Sequence, residues 1–331
     1  MKRFLHLSRY AGVGFGALLL VSIVYRFGVE NALACFRVIG IWSLPVLGFS
    51  AAWKCLNTIA WILALPTGTE RPSFWRLYRV NLAGDVINGL LPTANLGGEL
   101  AKPCFLRREM SVSACSTGLM ANKTMELLAG QALVLAGVAT ALWMWEVPWE
   151  VRLGLSALAL AGLTLVGVGL IAQRREPLTR LCRFLTRIGV RLESPMVQDA
   201  VGRIDAELAT FLSFKTRRLW ACLGIRFLSL GVGVCETYVL LRLLGFEHAL
   251  LPAFFLFSLG MIIDAAFFFV PGSLGTMEAG TAFLFVLMGM DPAVGLSLAL
   301  YKRMRRIFWM SMGGILLYVP GRLHLTEPAP A

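Results

Sequence analysis

The sequence predicts an all-α polytopic membrane protein, with about six full spans and two re-entrant helical hairpins arranged as inverted repeats. Three observations carry that class. Hydrophobic residues make up 57% of the 331 positions and charged residues only 15%, where a soluble domain carries about 25% charged; the mean hydropathy is +0.72. The apolar residues come in blocks of about 18–25, the length that crosses a bilayer as a helix. Stretches such as Ala132–Trp143 and Leu153–Ala172 do not alternate, as strands of a membrane barrel would. The net charge of +12 sits between the apolar blocks, where the positive-inside rule places it. That placement excludes nucleic acid as the partner.

From the N-terminus, Lys2, Arg3 and Arg9 precede an apolar run from Ala11 to Tyr25. Arg26 and Glu30 separate this run from Ala32-Leu33-Ala34-Cys35, so it reads as an uncleaved first helix over 10–28 and not as a signal peptide. A second helix covers 41–65, with Lys54 inside it. Residues 73–106 are too polar for two simple spans: they hold Asn81, Asp85, Asn88, Asn95, Glu99 and Lys102, broken at Pro92 and at Gly97-Gly98. Polar, broken helices at membrane depth are tolerated where protein or a cavity surrounds them, which predicts a re-entrant hairpin entered from the cytoplasm. A long helix over 111–145 carries Lys123 and Glu126, and a further span covers 152–172.

Residues 173–218 contain ten Lys or Arg against five Asp or Glu and form the cytoplasmic segment. Its core, 173–216, is expected as an amphipathic linker of two helices. The first has Leu178, Leu181, Leu185, Ile188 and Leu192 beside a basic stripe. The second starts at Ser194-Pro195 and carries Val197, Val201, Ile204, Leu208 and Phe211. Two readings stand for the pair: a surface for anionic lipid headgroups, or a solvated linker. A span over 217–245 leads outward. No Lys or Arg occurs between Gly245 and Tyr301, so a second hairpin, 252–289, opens to the periplasm, broken at Pro271-Gly272 and Gly275. A last helix over 292–320 holds Lys302, Arg303, Arg305 and Arg306, and both termini are cytoplasmic. The chain is thus one membrane domain, 1–331, with a first half (10–145), the linker and a second half (217–320).

The two hairpins share a spacing. Asp85, Pro92 and Glu99 are seven apart, as are Asp264, Pro271 and Glu278; Lys123 follows Glu99 by 24 residues and Lys302 follows Glu278 by 24. Glu126 and Arg305 stand three further on and differ in sign. Broken helices in inverted repeats, meeting near the midplane, are the architecture of many secondary transporters. Each ionised side chain at mid-bilayer costs about 2.5–3.5 kcal/mol, so these groups pair, protonate or line a wet cavity. Half-helix N-termini at the breaks suit an anion. Lys102, Lys123, Lys302, Arg305 and Arg306 supply counter-charge, arginine being suited to bidentate phosphate contact. Gly97, Gly98, Gly272 and Gly275 let a headgroup approach the backbone. Glu99 and Glu278 are placed to exchange a proton, Glu278 being the better placed. The competing reading is structural: Asp85 paired with Lys123, and Asp264 with Arg305 or Arg306, holding the bundle together.

The seven cysteines show no C-x-x-C spacing and read as small buried hydrophobes. His6, His248 and His324 are scattered, so neither a metal nor a cofactor is expected.

At Pro92-Thr93-Ala94-Asn95-Leu96-Gly97-Gly98-Glu99-Leu100-Ala101-Lys102 the chain resembles the lysylphosphatidylglycerol synthase transmembrane (flippase-like) family, with its P-x-x-x-x-G-G-acid-x-x-basic pattern. Its second signature, P-G-x-x-G-x-x-E, is similar to Pro271-Gly272-Ser273-Leu274-Gly275-Thr276-Met277-Glu278, and its late basic cluster to Lys302–Arg306. The resemblance covers about 5–320 and is nearest the hopanoid-associated branch. It implies a protein of the bacterial inner membrane that moves or presents lipids. The lipids carry a polar or anionic headgroup or are of hopanoid type, with lipid-biosynthesis proteins as further partners. It implies no enzyme, because members that make aminoacylated lipid carry a synthase domain after the membrane part and this chain stops at Ala331. The expected function is a lipid translocase. The alternatives are an intramembrane transferase with Asp85 or Asp264 as base, and a non-catalytic scaffold.

Overall fold

The computed structural model describes residues 40, 43–69, 71–90, 97–144, 148–173, 177–187, 195–213, 216–267, 270, 273 and 275–318. The expected first helix, Pro92, Pro271, Gly272 and both chain ends lie outside them. Among the described residues the chain forms α1 (Ser43–Ala64), α2 (Phe74–Leu90), α3 (Gly97–Leu106), α4 (Val112–Met144), α5 (Trp149–Gln173), α6 (Pro177–Arg187), α7 (Pro195–Phe211), α8 (Arg217–Leu243), α9 (Leu250–Ala266), α10 (Thr276–Leu287) and α11 (Pro292–Tyr318).

The helix starts have local causes. Ser73 caps α2, its Oγ accepting the Arg76 N–H at 3.3 Å, and Ser111 Oγ accepts the Ala114 N–H at 3.2 Å at the head of α4. Proline opens α6, α7 and α11, where its missing N–H costs nothing. Gly275 precedes α10 with φ of 76°, a left-handed conformation that glycine adopts without a Cβ penalty.

Four helices, α1, α4, α5 and α8, are long and apolar enough to cross a membrane. The chain is therefore a membrane protein. Helix α11 matches α8 in length, 27 residues each, but carries Lys302, Arg303, Arg305 and Arg306 at its centre. By contrast, α3 has 10 residues and α10 has 12. At 1.5 Å per residue these are about 15 and 18 Å long, near half the hydrocarbon thickness.

The most extensive helix–helix contact is α1 with α8. The two run antiparallel: Arg218, at the start of α8, donates to the carbonyls of Leu63 (2.9 Å) and Leu65 at the end of α1. A cation there satisfies the orphan carbonyls of a helix C-terminus. Helix α2 packs on α11, and α4 on α9. Both crossings are close because glycine removes a side chain: a Cβ at Gly313 would sit 2.7 Å from the Leu82 carbonyl oxygen, and one at Gly137 would strike Ser258. Helix α5 lies at the edge on α4; only Ala159 of it is buried, and Leu153, Leu160, Leu165 and Ile171 are exposed. An apolar surface of that extent suits lipid, not water.

The linker contains two helices, with α7 starting at Pro195 as its sequence indicates. Neither of the two expected settings describes α7. Ile204, Leu208 and Phe211 of its stripe are buried, and Leu208 and Phe211 pack with Ala60, Ala64, Ala121 and Met125 of α1 and α4. The stripe faces protein because α4, at 33 residues about 50 Å long, exceeds the roughly 30 Å hydrocarbon core and has length left to offer it a partner. Asp205 of α7, 2% exposed, also caps α6: its carboxylate accepts the N–H groups of Leu178 (3.2 Å) and Thr179 (2.9 Å).

Candidate functional site: a charged cavity at mid-helix depth

A cavity of about 370 Å³ opens between the hairpins, within the roughly 300–1,000 Å³ typical of small-molecule sites. Helix α1 lines it with Ser50, Trp53, Lys54 and Asn57; α2 with Tyr78, Asn81, Asp85 and Asn88; α3 with Glu99 and Lys102. Asn122, Lys123 and Glu126 come from α4, Arg226 from α8, Asp264 from α9, and Arg305, Arg306 and Trp309 from α11. Lys54, Lys123 and Arg305 stand near the middle of their helices. Six lining side chains are basic and four acidic, a formal balance of +2.

The charges form short links, some between helices and some within one. Lys54 Nζ donates to Asp85 Oδ2 at 2.6 Å and lies 5.5 Å from the Trp309 ring. Trp309 Nε1 in turn donates to Ser50 Oγ at 2.9 Å. Lys102 Nζ donates to Glu99 Oε1 at 2.7 Å and lies 5.5 Å from the Trp61 ring. Lys123 Nζ donates to Glu126 Oε1 at 2.8 Å. Arg226, 5% exposed, joins three helices: Nη1 donates to Asn57 Oδ1 and Nη2 to Asn122 Oδ1, both at 2.8 Å, and Nη2 lies 3.3 Å from Glu126 Oε2. On the far side Arg305 pairs with Glu236, and Asp264 Oδ1 accepts from Ser273 Oγ at 2.6 Å.

Of the residues singled out from sequence, Asp85, Glu99, Lys102, Lys123, Glu126, Asp264, Arg305 and Arg306 share this cavity. Others lie elsewhere. Glu278 is 1% exposed and outside the cavity lining; Arg303 forks onto it, Nε to Oε1 and Nη2 to Oε2 (2.8 Å for the second), and the same Nη2 donates to the Ser273 carbonyl at 3.0 Å. Glu278 is thus not the better placed of the two glutamates for proton exchange. Lys302 is also outside the lining, donating to Thr237 Oγ1 at 2.9 Å. Gly98 does not present backbone to a ligand. A Cβ there would strike the Gly84 carbonyl, so it serves the crossing of α3 on α2, and its N–H is capped by Asn88 Oδ1 at 2.6 Å. Gly97 begins α3, and Gly275 makes the left-handed entry to α10. Of the expected ion pairs, Asp85 holds Lys54 and not Lys123, and Arg305 holds Glu236, while Arg306 keeps an electrostatic interaction with Asp264.

Lys54, placed inside its span but not assigned to the site, joins Arg226, Glu236 and the partner role of Arg303 as features that escaped the sequence reading. The signal was present. Lys54, Arg226 and Glu236 are ionisable groups inside apolar spans, the same property that marked Lys123 and Glu126. The repeat does not mark them, because none belongs to an equally spaced pair of like residues.

The profile of the family described as "Lysylphosphatidylglycerol synthase TM region" matches residues 9–314. The chain is also similar to the UPF0104 membrane protein PH1989 of Pyrococcus horikoshii, 22% identical over 330 residues that cover 94% of this chain and 97% of that protein. No solved structure matches.

Proposed function

The chain belongs to the lysylphosphatidylglycerol synthase transmembrane-region family, and from that premise we propose that it moves a polar-headgroup lipid across the membrane. One observation carries the reading: groups from both hairpins, Glu99 and Lys102 on one side and Asp264 and Ser273 on the other, line the same mid-helix cavity. A headgroup in that cavity avoids the hydrocarbon core while its chains stay in lipid. The polar lining favours a headgroup, and nothing in it selects a hopanoid ring.

The pairing of helices supports inverted halves. A register of 179 residues relates Asp85, Glu99 and Lys123 to Asp264, Glu278 and Lys302. In that register α1 answers to α8, α2 to α9, α3 to α10 and α4 to α11. The contact of α2 with α11 is then the mate of α4 with α9, and α1 meets its own counterpart, antiparallel. The sign change from Glu126 to Arg305 is accommodated locally. Asn57 near Glu126 corresponds to Glu236, which neutralises Arg305. The short α3 and α10 suit re-entrant hairpins, with the linker and termini on the cytoplasmic face of a bacterial inner membrane.

Translocation is favoured over covalent change. Asp85 and Asp264, the candidate bases, each already hold a partner on one carboxylate oxygen, Lys54 and Ser273 respectively, as members of a structural network do. The test is reconstitution in proteoliposomes with a labelled lipid, following its leaflet distribution and mass. The wild type should equilibrate the label without changing its mass, and Glu99→Gln should slow transfer about tenfold or more. Unchanged transfer in Glu99→Gln, or a new covalent lipid, would contradict the proposal.

A further inference from the structure

The lining of the cavity is biased towards donors. Guanidinium and backbone N–H groups only donate, so they fix which way a neighbouring amide faces. Asn57 Oδ1 accepts from Arg226 Nη1 (2.8 Å) and Ser229 Oγ (2.9 Å). Asn122 Oδ1 accepts from Arg226 Nη2 (2.8 Å), and Asn88 Oδ1 from the Gly98 N–H (2.6 Å). In each case the oxygen is used, and the Nδ2 group has no partner among the described residues. Asn81 faces the other way, donating to Thr58 Oγ1 at 3.0 Å. The acidic acceptors are engaged as well: Asp85 by Lys54, Glu99 by Lys102, Glu126 by Lys123 and Arg226, and Asp264 by Ser273. Amide N–H groups and the excess positive charge are what remain for a ligand.

We propose that the cavity selects an anionic, oxygen-rich group of phosphate type, seated against Asn57, Asn122 and Arg226, and that it disfavours a headgroup with a net positive charge. The inference rests on reading the cavity as a lipid-headgroup site and adds its sign. With Glu236, which neutralises Arg305, the six basic side chains face five carboxylates, so a cationic headgroup would meet a net positive surround in which every carboxylate already has a partner. Like charges so placed repel most where water is scarce. Arg306, which lines the cavity and interacts electrostatically with Asp264, adds to the positive potential there.

The test uses the full chain in an uncharged detergent. Trp53 and Trp309 line the cavity, so their fluorescence reports binding. Three probes are titrated: dioctanoyl phosphatidylglycerol, its lysyl ester, and inorganic phosphate. The anionic lipid should saturate at least about tenfold more tightly than the cationic ester, with phosphate alone weaker. Asn122→Asp keeps the oxygen that Arg226 needs and removes the free Nδ2. Arg306→Gln alters an exposed side chain. Both should retain the wild-type unfolding temperature, weaken the anionic lipid about tenfold and narrow its lead over the ester. Equal affinity for the two lipids would overturn the charge selection and leave the headgroup reading standing. Saturable binding of neither lipid would overturn the headgroup reading itself. Phosphate binding as tightly as the lipid would support the anion site and overturn a lipid as its source.

Discussion

The two hairpins place a glutamate at the same point and treat it in opposite ways. Glu99 and Glu278 are each the third residue of the hairpin's second helix. The Glu99 side chain is 24% exposed, lines the cavity and has one lysine partner three residues away on its own helix. The second hairpin has Thr281 at that offset, so the partner of Glu278 has to come from another element, and Arg303 of α11 supplies it as a two-bond fork in a dry setting. The same Arg303 also holds the Ser273 carbonyl in the break. The lesson is that spacing fixes where a charge stands on a helix, and the neighbouring helix decides whether it is a working group or a structural tie.

That contrast can be broken by experiment, beginning with its strongest element. Arg303→Ala strips the two-bond fork from buried Glu278, leaving only the more remote Arg306 as counter-charge, and should destabilise the protein by about 3–5 kcal/mol, read as a large fall in unfolding temperature or loss of expression. Arg303→Lys keeps the charge but not the fork and should lose less. Gly98→Ala drives a methyl into the Gly84 carbonyl and should cost about 1–3 kcal/mol in the same melt; Met277 stands at the corresponding place in the second hairpin, where no such crossing constrains it. Glu99→Gln leaves Lys102, 5% exposed, with a neutral amide oxygen in place of its carboxylate and should cost about 1–2 kcal/mol, while lipid transfer collapses. A mutant that still folds and does not transport separates the two glutamates more sharply than any stability value. Lys302→Met should have the smallest effect, leaving transfer unchanged and stability within about 1 kcal/mol, because Lys302 lies outside the cavity lining, donates to Thr237 and shares Glu236 with Arg305.

Much of the fold was legible because bilayer length and Pro or Gly punctuation act locally. The expected 41–65, 111–145 and 217–245 correspond to Ser43–Ala64, Val112–Met144 and Arg217–Leu243. The site was legible as a set of charged positions and not as a set of pairs. Lys54 and Asp85 are 31 residues apart, and Arg226 and Asn122 are 104 apart; such partners are chosen by helix packing, which no short-range spacing encodes. The same limit explains the linker. Its amphipathic stripe in α7 was visible as Ile204, Leu208 and Phe211, but whether that stripe meets lipid or protein depends on how far α4 extends.

Water access at the two glutamate positions tests the central claim most directly, that Glu99 opens on a wet cavity while Glu278 is sealed. The native cysteines are replaced, and Glu99→Cys is compared with Ala282→Cys, which is one turn beyond Glu278 on the same face and 7% exposed. Both are treated in membranes with a charged, hydrophilic thiol reagent. Rapid modification of Glu99→Cys with Ala282→Cys left unreacted is the expected result. Two equally inert positions would mean that no watery cavity reaches the first hairpin, and the account would fail with it.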